Sequence, residues 1–313
     1  MRRLAVRAFA KVNFDLRALE RRPDGYHELR TVYQTVSLAD RLRIGFEPGG
    51  GISVELRAND SRLETAENLA ARAARKLLES GPWRGRVSIG LEKRIPVGGG
   101  LGGGSSDAGA TLLALERLLD PPPDGAALYA AARQLGSDVP FFLLGGLALG
   151  VGRGEEVYPL PDPPRRWVVI IAPELHVATR DAYQWLAESR SPGLTQDRKL
   201  RIIDGFCSGF RVSGVGETND PFGRPSNDFE GVIFQRFPDL RRWKDQLLEA
   251  GATTALLSGS GAALFGLFES RPAAQAASRA LRGEARRVHL GSTVSRRRYR
   301  ALWDRWSKLQ PSG

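Results

Sequence analysis

Residues 98–106 read Gly-Gly-Gly-Leu-Gly-Gly-Gly-Ser-Ser, six glycines in seven positions followed by two hydroxyls. A loop without Cβ atoms can bring its backbone N–H groups against an anion. An apolar, alanine-rich run follows, with Ala108, Ala110, Leu112, Leu113, Ala114, Leu115 and Leu118. A helix starting there adds unpaired N–H groups and a partial positive charge. Loop and helix together make a phosphate cradle, which points to a nucleotide and, one step further, to phosphoryl transfer. Glycine runs also serve as linkers, but a linker does not sit between the strand-like Val87, Ile89 and Leu91 and an apolar helix. No Gly-Lys-Ser/Thr closes the loop, so it is not a Walker A sequence. Gly98-x-Gly100-x-x-Gly103 has dinucleotide-loop spacing, but the acidic residue required about 20 positions later has only Glu116 and Asp120 as candidates, on or at the end of the next helix. A third kind of phosphate loop fits better.

The elements that must carry this loop follow from periodicity. Residues 4–19 alternate as a strand, with Lys11 and Asn13 interrupting the apolar pattern, and Arg22 to His27 is a turn by composition. Residues 29–38 read as a strand, and 40–47 with 51–57 as a hairpin around Pro48-Gly49-Gly50. Residues 68–80 are helical, 87–92 a strand, 105–119 and 126–135 helices, and 141–154 an apolar segment. A proline-rich link, 159–164, marks a domain boundary. Beyond it, 167–172 reads as a buried strand, 179–188 as a helix, and 189–227 as a long loop with at most one helix. Residues 227–237 and 241–250 are helical, and 254–268 is a strand–turn–strand around a second glycine-serine turn. A helix over 273–281 and a short strand over 286–290 complete the pattern. Helices and strands mix without strict alternation, which predicts an α+β fold.

The chain has 313 residues, enough for two ordinary domains, and 42% hydrophobic content supports packed cores. The lone Cys207 excludes an intramolecular disulfide and a cysteine-built zinc site, and three histidines (His27, His176, His289) make a structural metal site improbable. No apolar core of a signal peptide opens the chain, and the longest apolar run, 139–151, falls short of a bilayer. A cytoplasmic protein is expected. The net charge of +11 could serve nucleic acid, but no readout module accompanies it. Much of the excess lies between Arg279 and Lys308, and the same charge draws in polyanionic small substrates.

Three segments resemble the superfamily of galactokinase, homoserine kinase, mevalonate kinase and phosphomevalonate kinase: the strand around Ala10-Lys11-Val12-Asn13, the glycine loop, and Ser258-Gly259-Ser260-Gly261-Ala262. Within it, the turn Pro23-Asp24-Gly25-Tyr26-His27, the segment Gly136-Ser137-Asp138-Val139-Pro140-Phe141-Phe142, Gly152-Arg153-Gly154-Glu155 and Asn227-Asp228-Phe229-Glu230 resemble the branch whose acceptor is a methylerythritol carrying a cytidine diphosphate. The resemblance implies a two-domain α+β small-molecule kinase fold, with an N-terminal α/β domain at 1–160, a C-terminal α+β domain at 161–313 and the active site between them. It implies transfer of the ATP γ-phosphoryl group to the acceptor's tertiary 2-hydroxyl, in isoprenoid precursor synthesis.

The residue roles depend on that resemblance. It implies Asp138 as the base, although turn context alone makes it a turn or helix-cap aspartate. It implies Lys11 as the partner of Asp138, where residue type alone suggests a solvated strand-edge lysine. Asn13, Tyr26, His27 and Thr179 are implied at the acceptor, Tyr26 and His27 near its cytidine ring. A core anchor for Tyr26 stays open. Asn68, Lys93, Pro96, Gly98, Gly99, Gly100, Leu101, Gly102, Gly103, Gly104, Ser105, Ser106, Ser258, Gly259, Ser260 and Gly261 are implied on the ATP side. Ser105 and Ser106 equally suit helix capping, and Asp107 suits the helix dipole in the first turn. No carboxylate is assigned to Mg²⁺, which is expected to be held mainly through ATP. Partners are expected to stop at the small-molecule substrate, with neither membrane nor nucleic acid, and the chain to act as a monomer or weak homodimer. Three features depart from the pattern or extend it: Ala178 stands where a small polar residue is usual, the 189–227 stretch is long and arginine-rich with no function assigned to it, and the arginine-rich tail from Arg296 onward lies beyond the resemblance.

Overall fold

A computed structural model of the chain describes residues 2–22, 27–189, 225–283 and 286–306. Two sheets organise it. The first is six-stranded, in the order β3-β4-β2-β5-β6 with β1 on β2. Its strands are β1 (Arg2–Arg21), β2 (His27–Pro48), β3 (Ile52–Ala58), β4 (Gly85–Glu92), β5 (Leu147–Val151) and β6 (Glu156–Pro159). The second is four-stranded, in the order β10-β7-β9-β8, built from β7 (Trp167–Pro173), β8 (Thr254–Leu257), β9 (Leu264–Phe268) and β10 (Arg286–Ser292).

The segments read as 29–38 and 40–47 form one strand of 22 residues. One edge of β2 pairs antiparallel with β1 along most of its length; the other is shared, with β5 at Thr31–Gln34 and β4 at Arg41–Pro48. The expected hairpin of 40–47 with 51–57 does not form. β4 takes the edge of β2, and β3 pairs parallel to β4 on the outside. The reason lies in side-chain burial. Val87, Ile89 and Leu91 of β4 are buried, whereas β3 has no buried residue, so β4 is central and β3 is the edge.

Helices α1 (Leu69–Glu79), α2 (Gly103–Leu118) and α3 (Gly125–Leu135) bury their apolar faces with Leu42, Ile44, Val87 and Ile89 in one core. The apolar 141–154 segment splits into α4 (Val139–Leu144) and β5 at Gly145 and Gly146, whose φ angles of 66° and 75° suit glycine. Against the second sheet lie α5 (Thr179–Glu188), α6 (Glu230–Arg236), α7 (Pro238–Glu249) and α8 (Arg271–Ala280). The basic tail opens as α9 (Arg296–Trp306), which plants Tyr299 and Trp303 in the first core; the Tyr299 hydroxyl donates to the Phe142 carbonyl at 2.6 Å. None of the described helices is long and apolar enough to cross a membrane.

The β1–β2 ribbon runs through three cores. Its base packs under α1 and α2, its middle (Ala10, Val12, Val36) packs on Val168, Ile170, Leu256 and Phe265 of the second sheet, and Leu16, Ala18 and Leu29 join the core under α5 and α6. Phe265 is fully buried at this crossing and stacks on Phe14 at 6.2 Å. Phe265→Ala should cost roughly 3–5 kcal/mol, the usual loss for deleting a buried aromatic ring. Urea unfolding measures it, and a loss below about 1 kcal/mol would show that the crossing is not a packed core.

Candidate active site

The pairing of β1 with β2 shifts register on both sides of one short stretch, between Phe9 and Lys11 and between Asn13 and Asp15. Such irregularities re-aim side chains and favour active sites. Lys11, Asn13, Thr31 and Tyr33 converge there. Lys11 is only 3% exposed, unlike a solvated edge lysine. Its ammonium donates to Asn13 Oδ1 at 2.7 Å and lies 3.4 Å from Asp138 Oδ2. Asn13 Nδ2 donates to Thr31 Oγ1 at 2.7 Å, and Thr31 donates onward to the Asp15 carbonyl.

Asp138 precedes α4 at its N-cap position but caps nothing. Its carboxylate turns to the cleft, where Oδ1 accepts the Tyr33 hydroxyl at 2.9 Å and Oδ2 faces Lys11. The side chain keeps 30% exposure, so one face stays open to the cleft. Tyr33 was not singled out from sequence, since a tyrosine in an alternating strand reads as core. Burial, then the Asp138 charge, hold its phenol far above the usual range, so it remains a proton donor to the carboxylate.

The two glycine turns touch. Ala263 N donates to the Gly99 carbonyl at 3.1 Å and Ser258 Oγ to the Gly100 carbonyl at 3.0 Å. Gly98, Gly100 and Gly102 have φ of 76°, 74° and 68°. A Cβ at Gly100 would stand 2.1 Å from the Ser258 carbonyl oxygen. Helix α2 begins at Gly103 with no side-chain cap on its first amides, which leaves them for an anion. This start, two residues earlier than expected, puts Asp107 beyond the first turn. Gly259 N donates to Asn13 Oδ1 at 2.9 Å, joining the second turn to the lysine. Asn227 supports that turn from below, Nδ2 donating to the carbonyls of Leu257 and Gly259 at 2.9 and 2.7 Å, while Glu230 Oε1 accepts Leu257 N at 2.9 Å.

A cleft of about 1230 Å³ runs along both turns. Lys11, Asn13, His27, Asn68, Lys93, Pro96, Asp138, Thr179, Gly259, Ser260 and every residue from Gly98 to Ser105 line it. Ser106, Ser258 and Gly261 do not. The Ser106 hydroxyl is buried and donates to the Phe9 carbonyl at 2.7 Å, anchoring α2 to β1. Tyr26 lies outside the described residues, as does nearly all of 189–227. Asn68 caps α1, accepting Ala70 N at 3.0 Å. The Lys93 ammonium bonds Asp40 and Asp107, each at 2.6 Å. Burial pushes the Asp107 carboxyl well above the ordinary range, against the pull of Lys93, and Asp40 adds to the rise. Among the described residues no group of three or more His, Cys, Asp or Glu side chains gathers to hold a metal ion.

At the other end of the cleft the His27 ring stacks on Tyr183 at 5.4 Å and 22°, and Tyr183 meets Phe229 edge-on at 4.9 Å. Tyr183 of α5 reads from sequence as helix core; only the fold shows that it faces His27. Arg153, Arg180 and Gln184 line this end too.

Two sheets meeting over paired glycine turns, with a buried lysine and a carboxylate beneath them, define a small-molecule kinase of the GHMP class. The model for the GHMP kinases N terminal domain matches residues 68–146, and that for the GHMP kinases C terminal matches residues 215–286. A 4-diphosphocytidyl-2-C-methyl-D-erythritol kinase of Solibacter usitatus (strain Ellin6076) is 47% identical over 96% of this chain and 92% of its own length. That of Anaeromyxobacter dehalogenans (strain 2CP-1 / ATCC BAA-258) is 40% identical over 94% and 92%. A crystal structure of 4-(cytidine 5'-diphospho)-2C-methyl-D-erythritol kinase superposes with a TM-score of 0.73 at 40% identity, covering 93% of this chain and 99% of that one. Homoserine kinase from Cytophaga hutchinsonii shares the fold, with a TM-score of 0.70 at 22% identity, over 94% of this chain and 95% of that one. The chain belongs to the 4-diphosphocytidyl-2-C-methyl-D-erythritol kinase family.

The contact between the turns leaves no room for a side chain at Gly100. Gly100→Ala should cost about 1–3 kcal/mol through the positive φ alone and force the turns apart. A thermal-shift titration is expected to show a lower melting temperature and loss of the stabilisation that ATP gives the parent. A variant that keeps the parent's ATP-induced shift would refute the tight apposition.

Proposed function

We propose that the chain transfers the γ-phosphoryl group of ATP to the 2-hydroxyl of 4-diphosphocytidyl-2-C-methyl-D-erythritol, giving the 2-phosphate and ADP. The observation that carries the reading is the Lys11–Asp138 pair, 3.4 Å apart and opening into a cleft with a glycine cradle at one end and an aromatic stack at the other. Two domains, 1–160 and 161–313, each supply one glycine turn.

Phosphoryl transfer needs in-line positioning, charge neutralisation and a proton acceptor. In this mechanism the amides of Gly98 to Ser105 hold the ATP phosphates. The acceptor oxygen attacks the γ-phosphorus as the bond to the β–γ bridging oxygen breaks and ADP leaves. Asp138 Oδ2 takes the hydroxyl proton, while the Tyr33 hydroxyl fixes Oδ1. Lys11 stands against the Asp138 carboxylate and faces the negative charge of the transferring group. Asn13 spends its amide on Lys11, Thr31 and Gly259, so its part is to position the lysine and the second turn beside the acceptor.

Mg²⁺ would be held mainly through the ATP phosphates, with the Ser105 hydroxyl the protein oxygen fit to join them, because Asp40 and Asp107 are bound to Lys93 and Asp138 to Lys11 and Tyr33. When bound, it neutralises phosphate charge. His27 and Tyr183 offer ring faces to the cytosine, and Thr179, beside Ser260 of the second glycine turn, faces the acceptor.

A coupled ADP-release assay with Mg-ATP and the diphosphocytidyl acceptor tests this. Asp138→Asn should lower kcat by about 10² or more, the scale of a lost general base. Tyr33→Phe removes a hydrogen bond to a charged group and should lower kcat about tenfold. No turnover by the folded parent would sink the acceptor assignment; full turnover by Asp138→Asn would keep the acceptor and overturn the base.

A further inference from the structure

We propose that a second pocket, walled by Arg165, Arg297 and Arg298 and floored by Gln34, binds a small polyol that carries a phosphate ester. The pocket lies where β2, the link before β7 and the start of α9 meet, and it shares no lining residue with the kinase cleft. Its volume of about 380 Å³ gives room for a small molecule.

Gln34 is only 1% exposed, yet it lines this pocket. Its Nε2 donates to the carbonyls of Thr35 and Val294 at 2.9 and 3.0 Å, which fixes the amide. Its Oε1 is buried and accepts nothing. A buried acceptor without a donor is costly and rare. Thr293 stands beside it in the lining. The Thr293 amide donates to the Arg166 carbonyl at 2.9 Å, and Thr293 Oγ1 accepts Arg166 N at 3.0 Å. The Thr293 hydroxyl proton reaches no acceptor among the described residues. The floor therefore offers one acceptor and one donor, and a ligand hydroxyl can answer both.

The walls supply charge. Arg297 and Arg298 come from the first turn of α9, and Arg165 comes from the link, where its guanidinium lies 4.4 Å over the Trp167 ring. All three are exposed, and among the described residues none has a carboxylate partner. The one carboxylate in the lining, Asp162, is committed: Oδ1 accepts Leu147 N at 3.1 Å and Oδ2 accepts Arg296 N at 2.8 Å. Guanidinium groups match phosphate oxygens in pairs and stay charged at any working pH. The same three cations repel an ammonium, so the donor that meets Gln34 has to be neutral. A phosphate at the rim and a hydroxyl at the floor together define a polyol phosphate.

Calorimetric titration of the whole chain with glycerol 3-phosphate and with methyl phosphate tests the pocket, with a non-hydrolysable ATP analogue present to fill the cradle. The parent should bind glycerol 3-phosphate about tenfold more tightly than methyl phosphate, which has no hydroxyl for the floor. Arg165→Gln, and Arg297→Gln combined with Arg298→Gln, should each weaken both esters by about tenfold, the scale of a charged hydrogen bond, and leave their ratio unchanged. These side chains lie on the surface and outside the cleft, so melting temperature and kinase turnover should stay those of the parent. A parent that binds the two esters alike overturns the polyol. A parent that binds neither overturns the site, and variants that bind both as the parent does place the phosphate elsewhere and overturn it too.

Discussion

The ammonium of Lys11 is held out of water, and a buried charge is tolerated only where partners replace the lost hydration. Asp138 and Asn13 are those partners. Each ties the lysine to a different part of the chain. Asp138 belongs to the start of α4, and Asn13 Oδ1 also receives the amide of Gly259 from the second glycine turn. The Lys11 backbone amide donates to the Leu101 carbonyl of the first glycine loop. One residue of β1 thereby links both glycine turns to the carboxylate. Removing any one partner would leave a charge or a donor stranded, which is why the arrangement behaves as a unit.

Around that unit, polar side chains whose motifs look functional act as braces. Ser106 secures α2 to β1, Asn227 and Glu230 hold the second turn, and Lys93 binds two carboxylates under the first loop. The first glycine loop offers mostly backbone to the cleft, so its rigidity has to come from such neighbours and from Ser258, whose hydroxyl donates to the Gly100 carbonyl. The amides at the start of α2, which no side chain caps, are held beside the cleft by these braces.

Several of these features were readable from the chain, and the reasons differ. The glycine loop stood out because so many glycines in one run are costly outside a backbone cradle, whereas Lys11 and Asp138 were reached only through the family resemblance, their residue types alone suggesting an edge lysine and a turn aspartate. The strand–turn–strand at 254–268 was legible from local alternation. Tyr33 and Tyr183 were not, since a tyrosine in a strand or on an apolar helix face has the same local pattern whether it fills a core or lines a cleft. The partner of β3 was hidden too: alternation tells which residues face inward but not which neighbouring edge is already occupied. Ser106 misled because a hydroxyl at a helix start serves equally as a ligand, a cap or an anchor. Only the position of the Phe9 carbonyl decides among them.

The placement of β3 outside β4 has a bearing on how molecules of this chain meet one another. An outer strand offers a row of unpaired backbone groups on which a strand of another molecule can grow. Here the strand is short, seven residues. Charged Glu55 and Arg57 alternate along its exposed positions, and Glu64 folds back so that its carboxylate accepts the Ala58 amide at 2.9 Å. The edge at β3 is thus guarded against strand addition.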